Sequence, residues 1–214
     1  MKKLLAIALA LCMVLSIACF ASAESDELIS VGIINNDPTE SGYRAANVAD
    51  MEAVFCEENG FDAQFFYSLK NEEQIAQAKK FIADEVDYLL LSAAATTGWD
   101  SVLKEAEEAG VTVILFDRTI DADDSLYAAS VVSDMALEGE TAVAWLAEQG
   151  LDEYNVIHIQ GVMGSAAQVG RSGALDTQVA ENDNWNIVIQ QTGNWSADEA
   201  KQIVESVINS GEKF

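Results

Sequence analysis

The chain has 214 residues, half of them apolar, and carries a formal net charge of −25 at pH 7. The apolar fraction is large enough for a buried core, so the acidity does not indicate a disordered chain. It does argue against nucleic acids and anionic lipids as partners, because both are polyanions that require basic surfaces.

The first 23 residues have the features of an export signal. Lys2 and Lys3 form a positive start, Leu4–Phe20 is apolar, and Ala21–Ala23 fits a small-residue cleavage site. The mature chain is therefore predicted to begin at Glu24 and to be exported, to the periplasm or to the outer face of the cell membrane. Cleavage of the signal would remove two lysines and no acidic residue, so the mature protein would be still more acidic.

The three cysteines bear on anchoring and on disulfides. Cys19 follows Leu15–Ala18, and a lipid anchor at Cys19 is the alternative to plain cleavage. Plain cleavage is favoured, because that tetrapeptide departs from the preferred lipoprotein pattern at two positions. Cys12 also lies in the leader, so Cys56 is the single thiol of the mature chain and excludes an internal disulfide. Cys56 falls in a predicted helix and is interpreted as a small packed hydrophobe.

Short β-branched or aromatic segments alternate with helical patterns along the chain. The predicted strands are Leu28–Ile34, Ala63–Tyr67, Tyr88–Leu91, Val113–Phe116, Ala128–Val132, Tyr154–Gln160 and Trp185–Gln191. The predicted helices are Gly42–Glu58, Asn71–Ala83, Trp99–Ala109, Met135–Gln149, Ser165–Glu181 and Ala197–Asn209. Alternation at this spacing is typical of parallel βαβ units, which predicts an α/β fold with sheets flanked by helices.

Two helix starts carry capping patterns. Asn71 with Gln74 three residues later predicts a cap for the helix Asn71–Ala83, and Ser196 with Glu199 predicts a capping box for the last helix. The first of these helices is also amphipathic. Its apolar face consists of Ile75, Ala78, Phe81 and Ile82.

The alternation breaks once, between Phe116 and Val131, where no helical pattern separates two strands. We interpret this as the chain leaving one sheet and entering another region. The break places a boundary near Val132, with a first lobe over residues 24–132 and a second, partial lobe over residues 133–214.

The chain contains only three arginines, and each follows a predicted strand. They are Arg44, Arg118 and Arg171. Ligands of open α/β sheets bind at the carboxyl ends of the strands, and a guanidinium offers a fixed fork of donors that stays charged. The arrangement predicts a binding cleft. Three ordinary surface salt bridges are the alternative.

Several motifs resemble one family. They are Glu40–Ala46, Thr97–Ala106, Phe116–Asp121, Val156–Gly161 and Thr192–Ser196. Together they resemble the type I periplasmic sugar-binding proteins of ABC importers, and most closely the galactofuranose-binding branch of the ribose/galactose-binding group. The resemblance covers essentially all of residues 30–211. It implies two Rossmann-like lobes joined by three hinge strands, with the sugar held between them.

The resemblance also implies roles for individual residues. Tyr43 would stack on the apolar face of a sugar ring. Arg44 and Arg118 would donate hydrogen bonds to sugar hydroxyls and Asp117 would accept them, while Arg171 would donate from the second lobe. A pairing of Asp117 with Arg118 is the structural alternative.

Three further positions are possible ligand contacts: Asn35, Asn36 and Trp195. The loop Asn35–Thr39 differs in sequence from the family and is longer. One further position also departs from the family, which commonly has an aspartate before the arginine that matches Arg171. Gly170 stands there in this chain. One hydroxyl acceptor is then missing, so the preferred sugar is expected to differ.

The sequence thus predicts an exported, monomeric solute-binding protein that captures a monosaccharide and delivers it to an importer permease. The sugar is expected to be galactofuranose-like, ribose-like or galactose-like. A sugar-sensing module that docks with a chemoreceptor or sensor kinase is the alternative. An enzyme is not expected, because His158 is the only histidine and no poised acid–base pair accompanies a nucleophile. No cofactor or metal site is indicated.

Family members continue beyond the point that corresponds to Gly211–Phe214. We therefore expect a truncated chain whose second lobe has two strands and three helices. An edge strand and apolar helix faces are expected to be left uncovered.

Overall fold

A computed structural model describes residues 27–211 and 213–214. The predicted leader and the alternative anchor Cys19 lie outside these residues. The strands are β1 (Ile29–Asn35), β2 (Phe61–Tyr67), β3 (Tyr88–Leu91), β4 (Thr112–Asp117), β5 (Ala129–Val132), β6 (Tyr154–Gln160) and β7 (Trp185–Thr192). The α-helices are α1 (Gly42–Val54), α2 (Asn71–Ala83), α3 (Asp100–Ala109), α4 (Met135–Ala147), α5 (Ala166–Glu181) and α6 (Ala197–Ser210). The predicted α/β fold of parallel sheets flanked by helices is confirmed.

The first sheet has the strand order β2-β1-β3-β4-β5, and every pair is parallel. Both faces of its central strands are covered, which fits the continuous apolar segments Tyr88–Leu91 of β3 and Val113–Phe116 of β4. On one face Ile34 and Leu91 pack with Trp99 of the loop before α3, which is fully buried. On the other face Val31 and Ile33 pack with the partly buried side of α1. This order places the carboxyl ends of β1, β3 and β4 side by side.

The second sheet consists of β6 and β7 in parallel. Its core centres on the stacked rings of Tyr154 and Trp185, whose centroids are 4.1 Å apart, and on Leu175 of α5. The described residues after Val132 form two strands and three helices, as predicted. Several large apolar side chains of this part are exposed: Leu137, Trp145, Val169 and Ile208.

The helix α1 ends earlier than the sequence predicts. It stops at Val54 rather than at Glu58, and a 3-10 turn follows. Cys56 lies between the two in an extended conformation, so its assignment to a helix was wrong. The physical reason is a side-chain cap from beyond the helix. Asn59 Nδ2 donates to the carbonyls of Ala53 and Val54, at 3.2 and 2.9 Å.

Of the two capping predictions, one is wrong and one is half confirmed. The residue before Asn71 is the N-cap of α2, and its side chain makes no capping bond. Asn71 Nδ2 instead donates to the carbonyl of Thr97 at 3.0 Å. The side chain that the local sequence pattern predicted as a helix cap is therefore used in a tertiary contact. Ser196 Oγ does accept from the backbone N–H of Glu199. The reciprocal bond is missing, because the Glu199 carboxylate accepts from Asn194.

The absence of an α-helix between β4 and β5 is confirmed, but the inference drawn from it is wrong. β5 pairs in parallel with β4 in the same sheet, with Asp117 opposite Val132. The crossover is made by a loop with one 3-10 turn, Asp124–Leu126, and its apolar side chains pack onto the core of the first sheet. A packed loop can therefore replace the usual helix. The lobe boundaries at residues 24–132 and 133–214 stay a prediction.

Candidate functional site: a cavity between the two sheets

A cavity of about 360 Å³ lies beyond the carboxyl ends of β1 and β4, where α4, α5 and the loop after β7 approach them. Its volume is in the range of small-molecule sites. The lining residues are Glu40, Ser41, Tyr43, Arg44, Asp117, Arg118, Ser133, Met135, Ala167, Arg171 and Trp195. The three arginines, which are distant in the sequence, therefore reach one cavity, as their positions after strands predict.

Arg44 is the most enclosed of these residues, with 1% of its side chain exposed. It lies in the first turn of α1, which begins after Ser41, whose hydroxyl accepts from the Arg44 N–H at 3.1 Å. Its guanidinium donates to four side chains. Two are carboxylates, Asp117 Oδ2 at 2.5 Å and Glu40 Oε2 at 3.2 Å, and two are amides, Asn35 Oδ1 at 2.7 Å and Asn47 Oδ1 at 3.3 Å. These bonds fix the plane of the guanidinium.

Glu40 joins the first two arginines, and sequence reasoning gave it no role. Its carboxylate is 3% exposed and accepts from Arg118 Nη2 at 2.9 Å as well as from Arg44. The spacing of four residues could have indicated the pair with Arg44. The bridge to Arg118, which is 78 residues away, depends on the tertiary fold.

The guanidinium of Arg118 is only partly hydrogen-bonded. Its Nη1 is buried and has no hydrogen-bond partner among the described residues. The alternative pairing of Asp117 with Arg118 is present only as a 3.7 Å contact, longer than the contact of Asp117 with Arg44. Arg118 is therefore held mainly by Glu40, and its Nη1 is left without a partner within the part of the chain that the structure describes.

Asp117 ends β4 in a strained backbone conformation, with φ of 63°. Its carboxylate accepts from Tyr43 Oη at 2.9 Å and from Ser92 Oγ at 3.1 Å, in addition to Arg44. Burial, followed by the charge of Asp117, raises the pKa of Tyr43, so its hydroxyl stays protonated and donates. The Tyr43 ring is 59% exposed and faces the cavity with Arg44 5.4 Å from its centroid.

The opposite side of the cavity is built differently. Arg171 of α5 donates from Nε to Glu138 Oε2 on α4 at 2.7 Å. Its Nη2 forms an ion pair with the same oxygen at 2.7 Å, and both side chains are more than 40% exposed. The guanidinium lies 5.9 Å from the ring of Trp195. Trp195 and Asn194 both have positive φ, at 61° and 49°. The Trp195 ring packs on Gly161, where a Cβ would lie 2.1 Å from a ring carbon, so only glycine allows this approach.

The remaining candidates lie behind the cavity walls. Asn35 is 1% exposed and binds Arg44 and Asn47, so it orients the guanidinium from behind. Asn36 is fully buried and accepts from Gln74 at 3.3 Å. Their direct contact with a ligand stays a prediction. Gly170 packs against the start of α4, where Met135 lines the cavity.

Comparisons with known proteins identify the family of the chain. The periplasmic binding protein domain family matches residues 31–213, so the chain belongs to this family, as its motifs predict. The galactofuranose-binding protein YtfQ of Escherichia coli (strain K12) is 34% identical over 177 residues, 80% of this chain and 55% of that protein. The fructose import binding protein FruE of Bifidobacterium longum is 31% identical over 186 residues, 84% of this chain and 56% of that protein.

A solved structure shows the same fold. The binding protein of the arabinose ABC transporter from Shewanella sp. ANA-3, bound to α- and β-L-arabinofuranose, is 31% identical with a TM-score of 0.73. The match covers 85% of this chain and 60% of that one. The chain thus spans about half the length of the curated relatives that it matches.

Outside the cavity, His158 of β6 faces α5, with Nε2 3.3 Å from Ser172 Oγ. Burial lowers its pKa. In the part of the chain that the structure describes, no three His, Cys, Asp or Glu side chains group into a candidate metal site. None of the helices within residues 27–211 combines the length and apolar composition needed to cross a membrane.

Proposed function

We propose that this protein is an extracytoplasmic solute-binding protein that holds a monosaccharide in the cavity and delivers it to an ABC importer. One observation carries the proposal. Two buried guanidiniums and two carboxylates converge on a cavity that also has an aromatic ring on each side. No bond is made or broken in this role, so the protein is a binder rather than an enzyme.

The chemistry of the cavity suits a polyhydroxyl ligand. Sugar hydroxyls both donate and accept, so a site for them needs charged donors and charged acceptors side by side. Arg118 Nη1 offers an unused donor, and Asp117 is an acceptor at the cavity wall. The Tyr43 ring provides a flat apolar surface for the C–H face of a sugar ring.

The relatives support a galactofuranose-like ligand, with ribose-like and galactose-like sugars as the wider class. Two of them are named for galactofuranose and fructose, and the solved relative holds L-arabinofuranose. The family model and these names also support export to the periplasm and an encounter with an importer permease. A monomeric state and the outer face of the membrane as the other location are part of the proposal.

The two sides of the cavity suit a closing movement. Ligand that bonds to Arg44 and Arg118 from one side and to Arg171 from the other would stabilise the closed form. A ligand shifts the populations of the open and closed forms only if it binds the closed form more tightly than the open form. The closed form would be the one recognised by the permease. A sensing module could use the same cavity, and binding of the sugar-loaded protein to an ABC permease distinguishes the two roles.

Calorimetric titration of the purified protein with furanose- and pyranose-forming sugars tests the proposal. We expect saturable binding of at least one monosaccharide. The Arg44→Ala and Asp117→Ala variants are expected to abolish the heat of binding. Lys79→Ala, which removes only an exposed pair with Glu105, serves as the control and should bind as the parent does. Unchanged binding by both cavity variants would show that the sugar binds elsewhere.

A further inference from the structure

The two walls of the cavity differ in polarity. The wall from the first sheet presents four charged side chains, Glu40, Arg44, Asp117 and Arg118, beside the Tyr43 ring. The opposite wall contains an apolar patch made of Met135, Ala167 and the Trp195 ring. Ser133 and Arg171 are the polar residues on that wall.

Of the polar groups beside the patch, Arg171 is paired with Glu138, the Trp195 Nε1 is buried, and Ser133 is exposed at the edge. Arg171 directs Nε and Nη2 to Glu138, at 2.7 Å each. The Trp195 Nε1 is buried and has no hydrogen-bond partner among the described residues, as is the case for Arg118 Nη1 on the opposite wall. Ala167 is 5% exposed and contributes only its methyl group. A ligand atom that faces Met135 and Ala167 therefore meets carbon and sulfur.

Tight helix packing fixes the patch in place. Met135 is the first residue of α4, whose start is capped by the Asp134 carboxylate accepting from the Leu137 N–H at 3.0 Å. A Cβ added at Gly170 of α5 would lie 2.7 Å from the Met135 Cβ and 3.0 Å from its backbone carbonyl carbon. No side chain fits at position 170 unless α4 moves. Among the described residues, this part of the wall is therefore formed by the side chains of Met135 and Ala167.

We infer that the cavity selects a sugar that lacks one hydroxyl, a deoxy sugar, whose deoxygenated carbon lies against Met135 and Ala167. The inference rests on the proposed sugar-binding function and narrows its ligand class. A fully hydroxylated sugar in the same orientation would bury one hydroxyl against the patch without a partner, which costs roughly tenfold in affinity. The remaining hydroxyls would be matched by the charged wall opposite.

Calorimetric titration with matched sugars tests the inference. The probes are D-galactose with its 2-deoxy and 6-deoxy forms, and D-ribose with its 2-deoxy and 5-deoxy forms. We expect at least one deoxy form to bind roughly tenfold more tightly than its parent. Equal affinity within each set, or tighter binding of both parents than of all their deoxy forms, would overturn the inference and leave the proposed function standing. No binding of any of the six sugars would instead count against the proposed function and, with it, the inference.

Variants of Met135 locate the effect. Met135→Gln keeps the length of the side chain and adds an amide, so it should reduce the preference for the deoxy form to about threefold or less. Met135→Leu keeps the patch apolar and should retain the preference. Met163→Gln makes the same chemical change at an exposed methionine outside the cavity wall and should also retain it. If Met135→Gln leaves the ratio of affinities unchanged, the patch does not set the selectivity.

Discussion

The two walls of the cavity hold their arginines in opposite ways. Arg44 and Arg118 are almost completely buried and share the enclosed carboxylate of Glu40. Arg171 pairs with Glu138 across two helices, and about two fifths of each side chain is exposed to solvent. The first pair of guanidiniums belongs to the core of its sheet, whereas the third lies on a surface.

This difference separates a fixed side of the site from an adaptable one. A buried ion pair that loses one partner leaves an uncompensated charge in a poorly solvated place, so the network resists rearrangement. An exposed pair exchanges its partner for water at little cost. The buried wall is therefore suited to set which hydroxyl pattern is accepted. Arg171 can change partner when a ligand arrives.

Substitution of Glu40 is expected to have the largest effect on stability, and it tests whether the two walls differ. Glu40→Ala should lower the free energy of unfolding by about 3–5 kcal/mol, because both Arg44 and Arg118 lose a buried counter-charge. Glu138→Ala is the matched variant on the other wall, and it should cost no more than about 1 kcal/mol. Urea denaturation measures both. Similar losses for the two variants would mean that the walls do not differ as described.

A second effect concerns how the exposed wall is held. Gly161→Ala should cost about 1–3 kcal/mol and shift the tryptophan fluorescence, because the new methyl group would enter the ring of Trp195. Gly173→Ala is the control, since a Cβ there meets nothing within 4 Å. That residue lies inside α5, so alanine should stabilise the helix by about 0.5–1 kcal/mol. Equal stability of the two variants would show that the Trp195 ring moves aside freely.

A third, smaller effect on sugar affinity distinguishes the hydroxyl of Tyr43 from its ring. Tyr43→Phe removes the hydroxyl that donates to Asp117 and keeps the ring. Sugar affinity should fall by a few fold, in line with a net hydrogen-bond contribution of about 1 kcal/mol. Tyr43→Ala removes the stacking surface as well and should weaken binding further. Calorimetry distinguishes the outcomes, and equal affinities for the two variants would argue against stacking on this ring.

The smallest effect is a pH dependence in the second sheet. Burial lowers the pKa of His158 below its ordinary value of about 6.5, so the folded protein favours the neutral ring. The stability that depends on the neutral ring is present above the unfolded pKa and is lost as pH falls through the folded pKa. We expect the free energy of unfolding to fall more steeply from about pH 7 to about pH 5 in the parent than in His158→Gln. Parallel profiles would assign the acid sensitivity to other groups.

The sequence predicts the elements well because their signals are local. The apolar runs of β3 and β4 and the amphipathic face of α2 depend on residues a few positions apart. The errors arise where a distant group intervenes. Asn59 ends α1 before Cys56, and the carbonyl of Thr97 takes the side chain of Asn71 away from its helix.

The candidate site shows the same division. The three arginines could be picked out because they are rare and follow strands, and parallel strands bring their carboxyl ends to one edge. Glu40 could not be picked out as a bridge, because one of its two partners is far away in the chain. The close approach of Gly170 to Met135 also could not be predicted from the sequence, because it depends on how α4 and α5 cross.

By itself, the sequence determined the class of fold, the order of its elements, and the charged and aromatic residues that its site could use. Periodicity, strand ends and family motifs act over short distances or follow directly from the order of the elements. Only the tertiary structure decided that two arginines are buried around Glu40, that the third stays exposed with Glu138, and that an apolar patch faces them. Those outcomes depend on the burial and approach of side chains from separate elements, which set the strength of an ion pair and the space open to a ligand.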